Sequence, residues 1–428
     1  MNLKYLKIFL ILISLVLIEI YIQYKQNLLG LSQKIFSRVT YESQKCEPFH
    51  FASKNYRVKI DDIIYPQAIP LNLNKSINFE CLNSQEKIKK ILFWTPFFGD
   101  PKFAFGLGVK EPFKQNLCPV YNCETFNDRS RVNEADIVIV HMRDTIPDIP
   151  KNRPKNQRWI FTVFESPMHC SNFTRYNNIF NFTSTYRIDA EFPRLTGSYQ
   201  LFEWEENLDF DENKDFSKGK THFAAGVVGN CGGSSARLEY INELQKYVNV
   251  TLLGKCKGGK KCTDYFPNSS DKDCKELVSK SHKFYLSFEN SICDGYISEK
   301  FFFILKYDII PVVLGGGNHS FFIPKSGFIN VLDYKSPKNL ADYLIYLDSN
   351  KTAYNSYFKW KKYVKFKDQL VFSNFCDMCI QLNLENYVPI WKNVISDIGK
   401  LWSKRDNCKI GKIDSKNNFL LENFTGIE

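Results

Sequence analysis

Apolar residues are spread unevenly along the chain. An almost wholly apolar run, Ile8–Ile18, stands behind Lys4 and Lys7. With its flanks it approaches the roughly 20 mostly apolar residues that a bilayer span needs, its lysine side facing the cytosol. No small-residue cleavage site follows, so residues 1–23 are expected to be a cytosolic tail and an uncleaved signal anchor. An Asn- and Lys-rich stretch without period predicts a stem over 24–87. Short apolar runs at Ile91–Trp94, Ile137–Val140 and Trp159–Val163 then read as buried parallel strands. A charged stretch, Glu203–Asp215, separates them from a second set. That set comprises strand Phe223–Val228, helix Ser235–Tyr247, strands Val250–Leu253 and Phe284–Phe288, helix Ile297–Tyr307 and strand Ile309–Leu314. Ser336-Pro337 opens a further helix, Lys338–Leu347. The alternation predicts an α/β chain with two Rossmann-like domains facing a cleft, over 88–205 and 206–375, and a Cys-containing segment over 376–428.

Composition narrows the class. With 44% hydrophobic and 24% charged residues the chain is globular, neither disordered nor fibrous. A net charge of +11 favours anionic partners without choosing among nucleic acid, lipid and phosphorylated small molecules. Thirteen cysteines and sequons at Asn74, Asn172, Asn181, Asn249, Asn268, Asn318, Asn350 and Asn423 fit a secretory lumen. The clustered cysteines Cys118/Cys123, Cys256/Cys262 and Cys376/Cys379 read as disulfide partners. Zinc is not expected at Cys376-x-x-Cys379, because its neighbourhood supplies no further ligands.

There is no Walker loop, no G-x-G-x-x-G and no H-E-x-x-H. Asp209-Phe-Asp211 matches a metal-holding D-x-D pattern, but it sits in a solvated acidic run with no strand to aim it. Two segments carry more. Lys283–Leu314 predicts strand, loop, helix, strand, which sets Tyr296, Glu299 and Lys300 at a helix start beyond the carboxyl end of a strand. In Asn230–Tyr240 a Gly-rich turn precedes a helix that Ser234 or Ser235 would cap, with Arg237 in the first turn; this is a plausible diphosphate cradle. Glu165 follows strand Trp159–Val163, either as a cleft carboxylate or as a turn cap. His141 ends another strand on the same edge, where a packing role is favoured over an acceptor contact.

Phe288–Ser291, Tyr296–Lys300 and Pro311–Gly315 together resemble the donor-binding signature of the family 10 α-1,3-fucosyltransferases. Asp128–Ser130, Ala135–Asp144, Phe164–His169, Thr185–Asp189, Ser234–Leu244 and Phe375–Cys379 resemble the same family in the same order, over roughly 88–385. The resemblance implies a GT-B fold and inverting transfer of fucose from GDP-fucose to the 3-hydroxyl of GlcNAc. It implies no metal site and no required cofactor, divalent cations being at most stimulatory. Glu165 would be the catalytic base. Arg237 and Lys300 would bind the diphosphate, and Asn290, Tyr296 and Glu299 would contact fucose or its nucleotide. Cys118, Cys123, Cys376 and Cys379 resemble disulfide-forming positions. The implied partners are glycoprotein or glycolipid glycans, of N-glycan core or Lewis type, and the membrane, with no nucleic acid. The implied location is the Golgi membrane, single-pass type II, with the catalytic region lumenal. Cys293-Asp294-Gly295, Gly315–Gly317 and the Lys-rich loop around Cys256–Cys262 depart from the animal pattern. The rival readings are a GT-B transferase using another nucleotide sugar and an inactive glycan-binding homologue.

Overall fold

The computed structural model describes residues 57–60, 63–66, 79–194, 202–203, 209–256, 258–266, 274–363, 365–366, 374–385 and 393–426. The expected anchor and most of the stem lie outside the described residues. Among those described, no helix is long and apolar enough to cross a membrane.

Two sheets organise the chain. The first comprises β1 (Lys89–Phe93), β2 (Gly108–Val109), β3 (Cys123–Phe126), β4 (Ile137–His141), β5 (Arg158–Val163) and β6 (Phe182–Thr185), in the order β2-β3-β1-β4-β5-β6. All neighbours are parallel except the β2 edge. β4 and β5 are buried at every position, as strands covered on both faces must be. The second comprises β7 (His222–Val227), β8 (Val250–Leu253), β9 (His282–Phe288), β11 (Ile310–Leu314) and β12 (Ile329–Asn330), all parallel, in the order β8-β7-β9-β11-β12. A small third sheet joins β10 (Ile292–Cys293) to the hairpin β13 (Cys408–Ile413) and β14 (Phe419–Asn423). The parallel strands of both large sheets follow the doubly wound order 2-1-3-4-5. In that order the crevice lies between the first and third strands, at their carboxyl ends.

Helices α1 (Arg237–Leu244) and α4 (Pro337–Ser349) cover one face of the second sheet. In α4, Ser336 caps the start, and Leu340, Ala341, Leu344 and Leu347 recur at helical spacing and are buried. Each such leucine contributes about 1.5–3 kcal/mol through burial. Helix α5 (Asn374–Leu384) leaves the second lobe and packs on the first sheet, with Phe375, Met378 and Ile380 against Ile91 and Phe93.

Three expectations are corrected. The helix expected over Ile297–Tyr307 is the single turn α3 (Glu299–Phe302); beyond it Ile304 N bonds Phe301 O and Leu305 N bonds Phe302 O in tighter i to i+3 turns. The aromatic run Phe301–Phe303 has weak helix propensity, and packing of Phe301 and Phe302 decides its path. Neither Ser234 nor Ser235 caps α1: the cap position is Ala236, in a left-handed conformation, because Ser235 Oγ is used across the loops instead. Nor do neighbouring cysteines pair with each other. The disulfides between described residues are Cys118–Cys376, Cys123–Cys379, Cys231–Cys256, Cys262–Cys274 and Cys293–Cys408. Cys376 and Cys379 stand one turn apart on α5, so both thiols face the same neighbouring loop rather than each other. Among the described residues only Cys170 is a free thiol, and it is buried.

Candidate active site

The two loops singled out by the sequence leave β7 and β9, the first and third strands of the second sheet, and are pinned together by backbone. Asn290 O accepts from Ser234 N at 2.8 Å and Ser235 N at 3.3 Å. Ser235 Oγ donates to Glu289 O at 2.6 Å. Gly233 has φ +141°, and a Cβ there would come within 2.3 Å of Asn290 O, so only glycine admits this approach.

Arg237 opens α1 and is 4% exposed. Its guanidinium donates to Phe288 O at 3.2 Å, to Asn230 O and to Gly232 O at 3.5 Å, while its Nε has no partner among the described residues. Burial lowers its pKa, opposed by Glu289, yet a guanidinium stays charged. Lys300, in the first turn of α3, donates to Ser298 Oγ at 2.8 Å and lies 3.2 Å from Glu289 Oε2 and 3.3 Å from Glu299 Oε1. Burial disfavours its charge, but Glu289 and Glu299 outweigh burial and its pKa is raised. Glu289 also accepts from Ser298 N at 2.7 Å and Ser298 Oγ at 2.8 Å. For Glu299, Lys300 and Lys275 outweigh the cost of burial and hold the carboxyl below its ordinary range. Tyr296 is buried edge-on against Tyr186, ring centroids 4.8 Å apart. Burial, then the carboxylates of Glu289, Glu165 and Glu299, keep its phenol well above its ordinary pKa and neutral.

The first lobe contributes Glu165, half-buried just past β5. The next residue, Ser166, is buried and places its Oγ 2.8 Å from Ser291 Oγ in the β9 loop. Nearby His169 has its pKa lowered by burial, opposed by Glu165 and reinforced by Arg143 and Arg237. Glu165, Arg237, Asn290, Tyr296, Glu299 and Lys300 are thus gathered around one junction between the lobes. His141 ends β4, fully buried, with Nδ1 2.5 Å from Asp144 Oδ2, rings of Phe97 and Phe98 against it, and its ring centroid 6.4 Å from that of Phe164, the residue before Glu165.

Comparison with known proteins decides the lineage. The family described as glycosyltransferase family 10 (fucosyltransferase) C-term matches residues 217–400, and fucosyltransferase, N-terminal matches 86–197. Glycoprotein 3-alpha-L-fucosyltransferase A of Drosophila melanogaster is 32% identical over 75% of this chain and 62% of its own length. Alpha-(1,3)-fucosyltransferase C of the same organism is 30% identical over 73% of this chain and 78% of its own. The human 4-galactosyl-N-acetylglucosaminide 3-alpha-L-fucosyltransferase 9 is 35% identical over 58% and 66%. The chain belongs to glycosyltransferase family 10.

Within this family 10 chain, sequence reasoning missed three residues at the junction. Glu289 carried no assigned role, although a carboxylate directly after a largely buried strand signals a buried charge in need of a partner. Lys275, on α2 (Cys274–Ser281), reaches Glu299 electrostatically and lies over the Phe303 ring at 4.4 Å; nothing in its local sequence marks it. Cys293 looked like a loop variation and is instead bonded to Cys408.

Proposed function

We propose that this family 10 chain is an inverting α-1,3-fucosyltransferase with its two lobes arranged as GT-B. It would transfer fucose from GDP-fucose to the 3-hydroxyl of GlcNAc in glycoprotein glycans, of N-glycan core or Lewis type. The observation that carries the reading is the Ser166–Ser291 contact, which joins the loop of one carboxylate to the loop of the buried cations. In this reading the lobe over 88–205 takes the acceptor, the lobe over 206–375 takes the donor, and 376–428 ties the two.

The acceptor oxygen attacks the anomeric carbon from the face opposite GDP while Glu165 takes its proton, since a sugar hydroxyl is a poor nucleophile without a base. The bond from that carbon to the diphosphate oxygen breaks, and its electron pair leaves with GDP. Arg237 and Lys300 meet the departing charge, as preorganised cations do most effectively in a water-poor site. Asn290, Tyr296 and Glu299 hold the sugar and nucleotide. Because α3 is one turn long, its dipole adds little, and Lys300 carries the positive charge on that side. These two cations remove the need for a divalent ion, which would at most stimulate. The relatives' names support the acceptor class; the apolar N-terminal run, the sequons and the disulfides support a type II Golgi protein with a lumenal catalytic region.

A donor panel on the purified full chain, followed by product linkage analysis, tests the reading. Transfer from GDP-fucose alone, giving an α-1,3 product that persists in EDTA, is expected. Preference for another nucleotide sugar, or loss in EDTA with rescue by manganese, would overturn it.

A further inference from the structure

The hairpin β13–β14 begins after both matched segments end, yet it is built into the loops that would hold the donor. β13 pairs antiparallel with β10, Cys293 opposite Cys408, and these two cysteines are bonded. Asp294 N donates to Asn407 O at 2.8 Å. Further along the same edge β13 reaches the Gly-rich turn, where Gly411 N donates to Ser234 O at 2.8 Å. A Cβ on Gly411 would lie 2.3 Å from Ser235 O and 2.7 Å from Ser235 C, closer than any side chain tolerates. A glycine inside a strand often marks such an approach of a second backbone. Phe419, on β14, stands edge-on to the buried Tyr240 of α1 at 5.2 Å.

We propose that β13 is a template for the donor site and that Gly411 is its positioning residue. The strand holds Ser234–Ser235 at the one height from which their N–H groups reach Asn290 O, and so sets where Arg237 stands relative to the β9 loop. Through Cys408 the same strand fixes the loop that leads into Tyr296 and Lys300. Gly411 touches no reacting atom; it acts through the turn. The inference rests on the reading of these loops as the GDP-fucose site.

The test is Gly411→Ala in the full lumenal chain beside Lys412→Ala, an exposed neighbour on the same strand. The readouts are GDP affinity by calorimetry and separate KM values for GDP-fucose and acceptor. Gly411→Ala is expected to weaken GDP binding and raise the donor KM by about tenfold or more, leaving the acceptor KM within about twofold, while Lys412→Ala changes neither. GDP affinity within about twofold of wild type in Gly411→Ala overturns the proposal. If that variant is not secreted, Cys293→Ser with Cys408→Ser is the second arm, judged by the same donor-specific criterion. Failure of both to be secreted assigns the hairpin to folding as a whole and overturns its donor-specific role. Failure of the wild-type protein to bind GDP would instead sink the underlying site reading.

Discussion

Lys300 Nζ lies 3.2 Å from Glu289 Oε2, and the Glu289 side chain is 1% exposed. A buried carboxylate beside a largely buried ammonium holds that cation charged and in place, and removing one partner strands the other at a cost of about 3–5 kcal/mol. Glu289→Gln keeps the shape and removes the charge. The variant is expected to raise the KM for GDP-fucose by about tenfold and to lower thermal stability. Unchanged donor kinetics would show that Lys300 is positioned without Glu289.

Glu165→Gln separates chemistry from binding. Turnover should fall by about 10²–10⁴ while GDP affinity, read by calorimetry, stays near wild type. Normal turnover would move the base elsewhere.

Lys300→Ala and Arg237→Ala test the diphosphate side of the site. Both should weaken GDP binding and turnover, because their charges meet the diphosphate in the ground state and more strongly as it departs. Arg237→Ala should also lower the melting temperature, since its guanidinium holds the carbonyls of Phe288, Asn230 and Gly232 and their loss leaves buried acceptors unpaired. A wild-type melting temperature in Arg237→Ala would contradict that second role.

Cys376→Ser with Cys379→Ser frees α5 from the first lobe. Loss of a native disulfide in a secreted domain typically costs about 2–5 kcal/mol, so a sharply lower melting temperature or failed secretion is expected. A melting temperature equal to wild type would show that side-chain packing alone holds α5.

Acid should destabilise the second lobe through His282. The imidazole is fully buried beside Ser281 and Thr251 hydroxyls. Burial, then neighbouring His222, pushes its pKa down to about 4, with Lys220 also close. The unfolded chain, with an ordinary imidazole, therefore binds more protons between pH 4 and 6.5. The stability His282 contributes is present above about pH 6.5 and lost as pH falls toward 4, on the order of 3 kcal/mol in all. Denaturant titrations across that window should show the decline, and His282→Gln should flatten it. A parallel decline in both proteins would place the sensitivity elsewhere.

What the sequence disclosed, and what it withheld, follows from how local each signal is. β5 and β11 stood out because both faces of those strands are buried, leaving mostly apolar runs. β3 and β6, Cys-Glu-Thr-Phe and Phe-Thr-Ser-Thr, passed unseen, since their polar residues are satisfied by tertiary partners such as Gly106 O for Thr125 and Phe192 O for Ser184. The candidate site residues were legible as loops after strands, but Arg237's grip on three carbonyls and the salt bridge beneath Lys300 depend on side chains brought together across the sheet. The disulfides were the least legible: Cys118 and Cys376 are 258 positions apart, and nothing near either names the other.

The placement of α5 and β13 constrains how such a chain can be made. A polypeptide emerging from its N-terminus exposes β1, β3 and β4 long before Cys376 and Cys379 exist to bond them, and it exposes the Gly-rich turn long before Gly411 arrives to seat it. Neither lobe is complete until the final stretch has left the ribosome. Assembly is therefore completed only after Cys376 and Cys379 have been made, with Cys118 and Cys123 left without their native partners until then. A nascent chain stalled before Cys408 would carry every residue assigned here to catalysis without the strand that sets their spacing.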